Sequence, residues 1–302
     1  EFRRVLFRSP NHGHTMKELW HTLIEQMQMK ENPAPPIGTG ITSIDNRARG
    51  GPRKQQLVLI GALRHVGKTA FARQLAINAG EKGNKVLCFF AESADMDEAA
   101  NTMAVMSGMP SKMFTGDSRT IDAGTIKAMN RTMNGFIPDI RIDTEPNLNM
   151  DLIESRCRYR KETSGLDVVF IDYLQYLNSK QSFKGQNREQ MLAEDARRVK
   201  VLARQLDILI YLLVQLNDEV AVEDTPEICH IRESKGPANH ADVILLMSAP
   251  DGVSHDPTDA ANDRAIQRRH LWVRKWRGVG AFSAPINLSF IGSSQRFINQ
   301  TT

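Results

Sequence analysis

The sequence predicts an α/β fold with a mainly parallel central sheet flanked by helices, and three observations carry that prediction. After residue 38, short and wholly apolar runs alternate with longer segments of helical period. Those runs are apolar throughout, with no polar alternation, as strands covered by helices on both faces are. The stretch Ala62-Leu-Arg-His-Val-Gly-Lys-Thr69 lies between an apolar run and an amphipathic segment. That is the place a phosphate-binding turn takes between a strand and a helix.

The strand-like runs fall at 56–60, 85–90, 167–171, 209–214 and 242–248, and the helical segments at 68–81, 96–107, 121–134, 149–163 and 188–205. The first of these helices places Phe71, Ala72, Leu75, Ala76 and Ala79 on one face. The second follows Asp95, with Glu98 three residues on, a capping-box-like start. Near the end, 270–274 and 284–290 flank Gly278-Val-Gly280 and predict a hairpin. Polar loops are expected at 179–186 and 251–263.

Three domain segments are expected. Residues 1–15 mix arginines with Phe2, Val5, Leu6 and Phe7, too short and interrupted for a secretory segment, and read as a non-native or disordered leader. From 16 to 30 the apolar residues Met16, Leu19, Trp20, Leu23, Ile24 and Met27 form a one-faced helix. A Pro-rich linker follows, so 16–37 is a tethered helix, with 38–302 as the main domain. The helix face needs cover, either from its own domain or from another subunit.

Composition narrows the class. With 302 residues and 41% hydrophobic content the chain can bury a sizeable core. Its three cysteines form no C-x-x-C pair, which argues against a disulfide scaffold or zinc site and for a reducing compartment. No apolar run approaches the roughly 18 residues of a membrane span. A net charge of +4 and a pI near 9.0 are compatible with a polyanionic partner without requiring one.

The candidate nucleotide contacts are Ala62, Arg64, His65, Val66, Gly67, Lys68, Thr69 and Ala70. Backbone N–H groups and the helix N-terminus cradle phosphate, Lys68 adds a point charge, and the Thr69 hydroxyl ligates Mg²⁺. The run 167–171 ends at Asp172, a carboxylate suited to hold Mg²⁺. Glu92 follows the run at 85–90; it reads as a general base beside the phosphate loop or as a surface residue at a helix entrance. Gln215 closes the run at 209–214 and reads as a γ-phosphate contact or as a plain loop amide.

These motifs, with Ile171-Asp-Tyr-Leu-Gln175, Gln215-Leu-Asn217, and Ile231-Arg-Glu-Ser234 followed by Ala241-Asp242, together resemble the RecA-like motor domain of DnaB-type replicative helicases over about 38–297. The resemblance implies a ring-forming motor: a P-loop NTPase of RecA-like fold, expected to use ATP and Mg²⁺ to move on single-stranded DNA, 5′ to 3′. It makes Lys68 and Thr69 phosphate and metal residues, Asp172 a metal ligand, Glu92 the catalytic base and Gln215 the γ-phosphate sensor. Lys275-Trp-Arg277 matches a late-strand motif that reaches the neighbouring site, with Arg277 as the arginine finger and Lys275 its companion.

The same resemblance makes Arg232, Ser234, Lys235 and Gly236 the candidate DNA contacts. Here the chain departs from the family: Lys235-Gly-Pro-Ala-Asn-His240 replaces a Gly-Ser-Ile-Glu-Gln-Asp pattern, and Asp218 stands where an arginine is usual. A homo-oligomeric ring of hexameric type, a linker helix docked on the next subunit, primase and a loader as partners, and a cytoplasmic setting in a bacterium or phage-infected host are implied too. The competing reading is a RecA-, RadA- or KaiC-like ATPase with a recombination or regulatory role and no unwinding.

Overall fold

The computed structural model describes residues 15–17, 19–21, 24, 35–115, 124, 126–127, 138–172, 188–217, 219–232, 235–253 and 266–299. Most of the expected leader, most of the helix at 121–134, the loop at 179–186, most of the loop at 251–263, and the positions Tyr173, Leu174, Gln175, Asp218, Glu233 and Ser234 lie outside them. The chain divides into two compact units, Glu1–Pro35 and Pro36–Thr302. In the first, positions 16, 17, 19–21 and 24 are helical, and Met16, Leu19 and Trp20 expose their side chains.

The second unit holds one nine-stranded sheet, ordered β3-β2-β4-β5-β1-β6-β7-β8-β9. Its strands are β1 (Leu57–Ala62), β2 (Val86–Phe90), β3 (Ile140–Asp143), β4 (Val168–Asp172), β5 (Leu209–Gln215), β6 (Val243–Ser248), β7 (Ile266–Trp276), β8 (Ile286–Ile291) and β9 (Arg296–Asn299). The first six in that order pair in parallel, and β7 to β9 extend the sheet antiparallel. Every residue of β1, β2, β4, β5 and β6 is buried, which is why these runs are apolar without alternation. The expected hairpin is the β7–β8 pair, longer than the sequence indicated. Two strands escaped sequence reading. β3 is short, half-buried and carries Arg141 and Asp143, while β9 is a terminal edge strand of four residues.

The helices are α1 (Thr42–Arg47), α2 (Lys68–Glu81), α3 (Asp95–Ser107), α4 (Lys112–Thr115), α5 (Met150–Thr163), α6 (Arg188–Gln205) and α7 (Lys235–His240). The chain steps from β1 outward to β3 and then back through β4 to β5. Right-handed crossovers therefore set α2 and α3 on one face and α5 and α6 on the other. None of the described helices is long and apolar enough to cross a membrane.

The start of α3 differs from expectation. Its N-cap is Ala94, without a side-chain cap, and Asp95 is already helical. Glu98 turns inward instead, fully buried, and takes three hydrogen bonds of 2.8–3.1 Å from Arg73 of α2. Removing one member of a buried pair leaves an uncompensated charge, so Glu98→Ala is expected to cost roughly 3–5 kcal/mol of stability. Urea unfolding of the two proteins measures this; a loss below about 1 kcal/mol would show the pair to be dispensable.

Candidate nucleotide site

The carboxyl ends of β1, β2 and β5 open onto one cavity of about 600 Å³, with the end of β4 lying between those of β2 and β5. In open parallel sheets this edge is where ligands bind, because loops leaving successive strands diverge there. Its walls include Ala62, Leu63, Arg64, His65, Gly67, Lys68, Thr69, Ala70, Glu92 and Gln215, joined by Phe290, Gly292 and Gln295 from the antiparallel extension. Six of the expected loop contacts besides Lys68 thus meet around the cavity. Val66 does not line it: its side chain is buried, and its carbonyl accepts a hydrogen bond from Arg269.

Local geometry explains the loop's residue types. Gly67 is the N-cap of α2 at φ +105°, a conformation that glycine adopts without strain. A Cβ there would also stand 3.3 Å from the Phe297 ring. Ala62, by contrast, closes β1 as an ordinary strand residue paired with Gln215, and it is not among the positive-φ positions. Nothing at that position demands glycine, so alanine fits.

Thr69 Oγ1 donates to Asp172 Oδ2 at 2.5 Å, and Lys68 Nζ lies 3.8 Å from Asp172 Oδ1. Burial pushes the Asp172 carboxyl upward, opposed by Lys68 and the Thr69 hydrogen bond. Burial likewise lowers Lys68, opposed by the carboxylates of Asp172 and Glu92. Both directions describe charges withdrawn from water that a bound anion and cation would stabilise. Asp172 Oδ1 is buried and makes no hydrogen bond among the described residues. A buried carboxylate oxygen with a spare lone pair, next to a hydroxyl, is a hard-oxygen donor set that fits Mg²⁺.

Glu92 follows β2 in a turn, with its side chain exposed into the cavity. Gln215 ends β5, and its carbonyl accepts from Arg232 N–H at 2.9 Å. Leu216 and Ile231 form an antiparallel bridge beside it, so the segment carrying Arg232 is tied back to the cavity wall. Arg232 is exposed, and Lys235 and Gly236 begin α7. A Cβ on Gly236 would come within 2.2 Å of Ala193, so close packing of α7 on α6 accounts for that glycine.

Lys275 and Arg277 are not among the residues lining this cavity. Between Ile244 and Leu245 the β6–β7 register shifts, leaving Arg274 without a partner. Arg269, Leu271 and Val273 face the core, and unbroken alternation would send 275 and 277 after them. The bulge moves Trp276 inward instead and turns Lys275 away from that face. Lys275 Nζ donates to the Ala238 carbonyl at 3.0 Å, and burial, aided by Arg277 beside it, lowers its pKa. Arg277 is 65% exposed and lies 3.2 Å from Asp242.

A glycine-containing turn after β1, an acidic end to β4 and a carboxylate after β2, on a mainly parallel sheet with helices on both faces, define a RecA-like P-loop fold. The chain belongs to the DnaB-like helicase C-terminal domain family, whose model matches residues 36–299. It is 29% identical over 283 residues to the replicative DNA helicase DnaB of Geobacillus stearothermophilus, covering 91% of this chain and 59% of that one. The chain thus spans about three-fifths of the length of that curated relative. Among solved structures, the ATPase domain of G40P superposes with a TM-score of 0.79 at 21% identity, covering 96% of this chain and 100% of the other. A DnaB-like replicative helicase, solved in a study of its interactions with primase, superposes with a TM-score of 0.78 at 21% identity over 95% of this chain and 69% of that one. At such identities these neighbours speak for the fold.

Proposed function

We propose that the chain is the motor of a ring-forming replicative DNA helicase that hydrolyses ATP at interfaces between subunits. The observation that carries this reading is the division of its charged groups. Lys68, Thr69, Glu92 and Gln215 line one cavity, with Asp172 hydrogen-bonded to Thr69 at its edge, while Lys275 and Arg277 stand outside it. A complete site then needs a second copy, which favours a closed homo-oligomer, hexameric by family resemblance.

Lys68 and the loop amides hold the β- and γ-phosphates of ATP. Thr69 and Asp172 would hold Mg²⁺, which would supply positive charge to the phosphate oxygens. Glu92 takes a proton as water attacks the γ-phosphorus; the new P–O bond forms while the bond to the bridging oxygen breaks, releasing ADP and phosphate. The Gln215 amide contacts the γ-phosphate, and its backbone link to Arg232 carries that contact toward the DNA-facing segment. Arg232, Ser234, Lys235 and Gly236 grip one DNA strand through phosphates, without sequence preference. Translocation runs 5′ to 3′ by resemblance. Primase and a loader are proposed partners, and the cytoplasm of a bacterium or phage-infected host the setting.

The test is ATP hydrolysis with and without single-stranded DNA, alongside the mass of the assembly. Faster hydrolysis with DNA by a multi-subunit species is expected. DNA-independent hydrolysis by a monomer would overturn the proposal.

A further inference from the structure

Arg269 is the largest fully buried side chain of the described core, with 1% of its surface exposed. It shares the inward face of β7 with Leu271 and Val273, where packing alone favours an apolar residue. A guanidinium is tolerated there only when its donors are satisfied. Nε donates to the Val66 carbonyl at 2.8 Å, Nη1 to the Arg268 carbonyl at 2.8 Å, and Nη2 to Gln267 Oε1 at 2.5 Å. The Phe290 ring lies 5.1 Å away and offers the cation its π face. None of these partners is a carboxylate. Burial lowers the pKa of Arg269 to about 10, which still leaves it charged at neutral pH.

Val66 immediately precedes the glycine of the phosphate loop. A trans peptide is planar, and its C=O and N–H point in opposite directions. Holding the Val66 carbonyl toward the core therefore turns the Gly67 N–H the other way, toward the cavity that Gly67 and Lys68 line. A buried cation that hydrogen-bonds no carboxylate among the described residues, directly behind that peptide, also favours an anion in front of it, although the more distant Asp251 shares its field.

We propose that Arg269 is a positioning residue for nucleotide binding: it fixes the Val66–Gly67 peptide so that the Gly67 N–H meets the phosphate chain. This rests on the reading of the cavity as an ATP site. The sequence concealed Arg269 because the expected strand began one residue later, at His270, leaving Arg269 as an apparent loop charge.

The experiment compares the wild-type chain, Lys68→Ala, Arg269→Met and Arg269→Lys. Its readouts are the Kd for ADP with Mg²⁺, kcat and KM for ATP, and the unfolding midpoint without nucleotide. Loss of one charge-assisted hydrogen bond and its field predicts about 10-fold weaker ADP binding and a similar rise in KM for Arg269→Met. Its kcat at saturation should stay within about 3-fold of wild type, because Glu92 and Arg277 are untouched. Arg269→Lys, which keeps the charge and one donor, should bind between the two.

A folded Arg269→Met variant that binds ADP like the wild type, while Lys68→Ala does not, overturns this inference and leaves the ATP site standing. A wild-type chain that binds no nucleotide overturns both. Hydrogen exchange at the Gly67 amide of the wild type adds a readout that does not depend on the variants folding. ADP should slow it, and unchanged exchange at saturating ADP overturns the inference.

Discussion

Arg277→Ala is expected to slow ATP hydrolysis about 10³–10⁵-fold, the range of an arginine finger, with little change in ATP affinity. The side chain is largely exposed, stands outside its own subunit's cavity and, among the described residues, pairs with the buried Asp242 at 3.2 Å. Asp242 itself is well anchored, accepting from Leu57 N–H at 2.8 Å and Lys200 at 2.5 Å. Arg277 thus projects from a fixed base. Its charge can meet the γ-phosphate of the next subunit only as negative charge builds there, which is why kcat and not binding should fall. Mixing supplies the decisive arm. Lys68→Ala subunits retain the finger but lose the phosphate grip, and Arg277→Ala subunits have the reverse. Mixed rings contain some interfaces with both intact, so part of the activity should return. No recovery at any ratio, with co-assembly demonstrated, would rule out catalysis across the interface.

Glu92→Gln should lower kcat about 10²–10⁴-fold, the usual contribution of a positioned general base. The amide keeps the size of the carboxylate but cannot take the proton. Lys68, Thr69 and Asp172 remain, so ATP with Mg²⁺ should still bind. Single-turnover hydrolysis and a separate binding titration distinguish the two effects. A variant that hydrolyses ATP at the wild-type rate would remove Glu92 from the chemistry.

Much of this architecture is legible in the residues themselves. The helices at 68–81 and 188–205 run as their periodicity dictates, because an amphipathic face and a polar face leave little choice of register. The five buried parallel strands are equally plain, since apolar runs of that length have only the interior to go to. β3 was hidden because its alternation, Ile-Arg-Ile-Asp, lasts only four residues and is too short to stand out; pairing with β2 makes it a strand. Glu98 matched a capping pattern, but a buried arginine from α2 made a stronger claim on its carboxylate. The phosphate loop, Asp172, Glu92 and Gln215 could be located because each follows an apolar run. Their convergence depends on strand order, which no local pattern encodes. The bulge at Arg274 was invisible for a related reason: it exists only relative to a partner strand.

In the proposed ring, β7 joins two places that concern different nucleotides. Near its beginning Arg269 holds the loop of its own subunit, and just past its end stands Arg277. At roughly 3.3 Å per residue the two are about 26 Å apart along a strand that pairs with β8 over Ile266–Leu271 and with β6 over His270–Trp276. In the proposed ring such a strand would act as a pushrod, passing on displacement except for what the bulge at Arg274 absorbs. Under the proposed ring, a subunit that relaxes its hold on spent nucleotide shifts the part it lends to its neighbour. The order of firing would then pass from site to site as a mechanical phase, set by the stiffness of one strand.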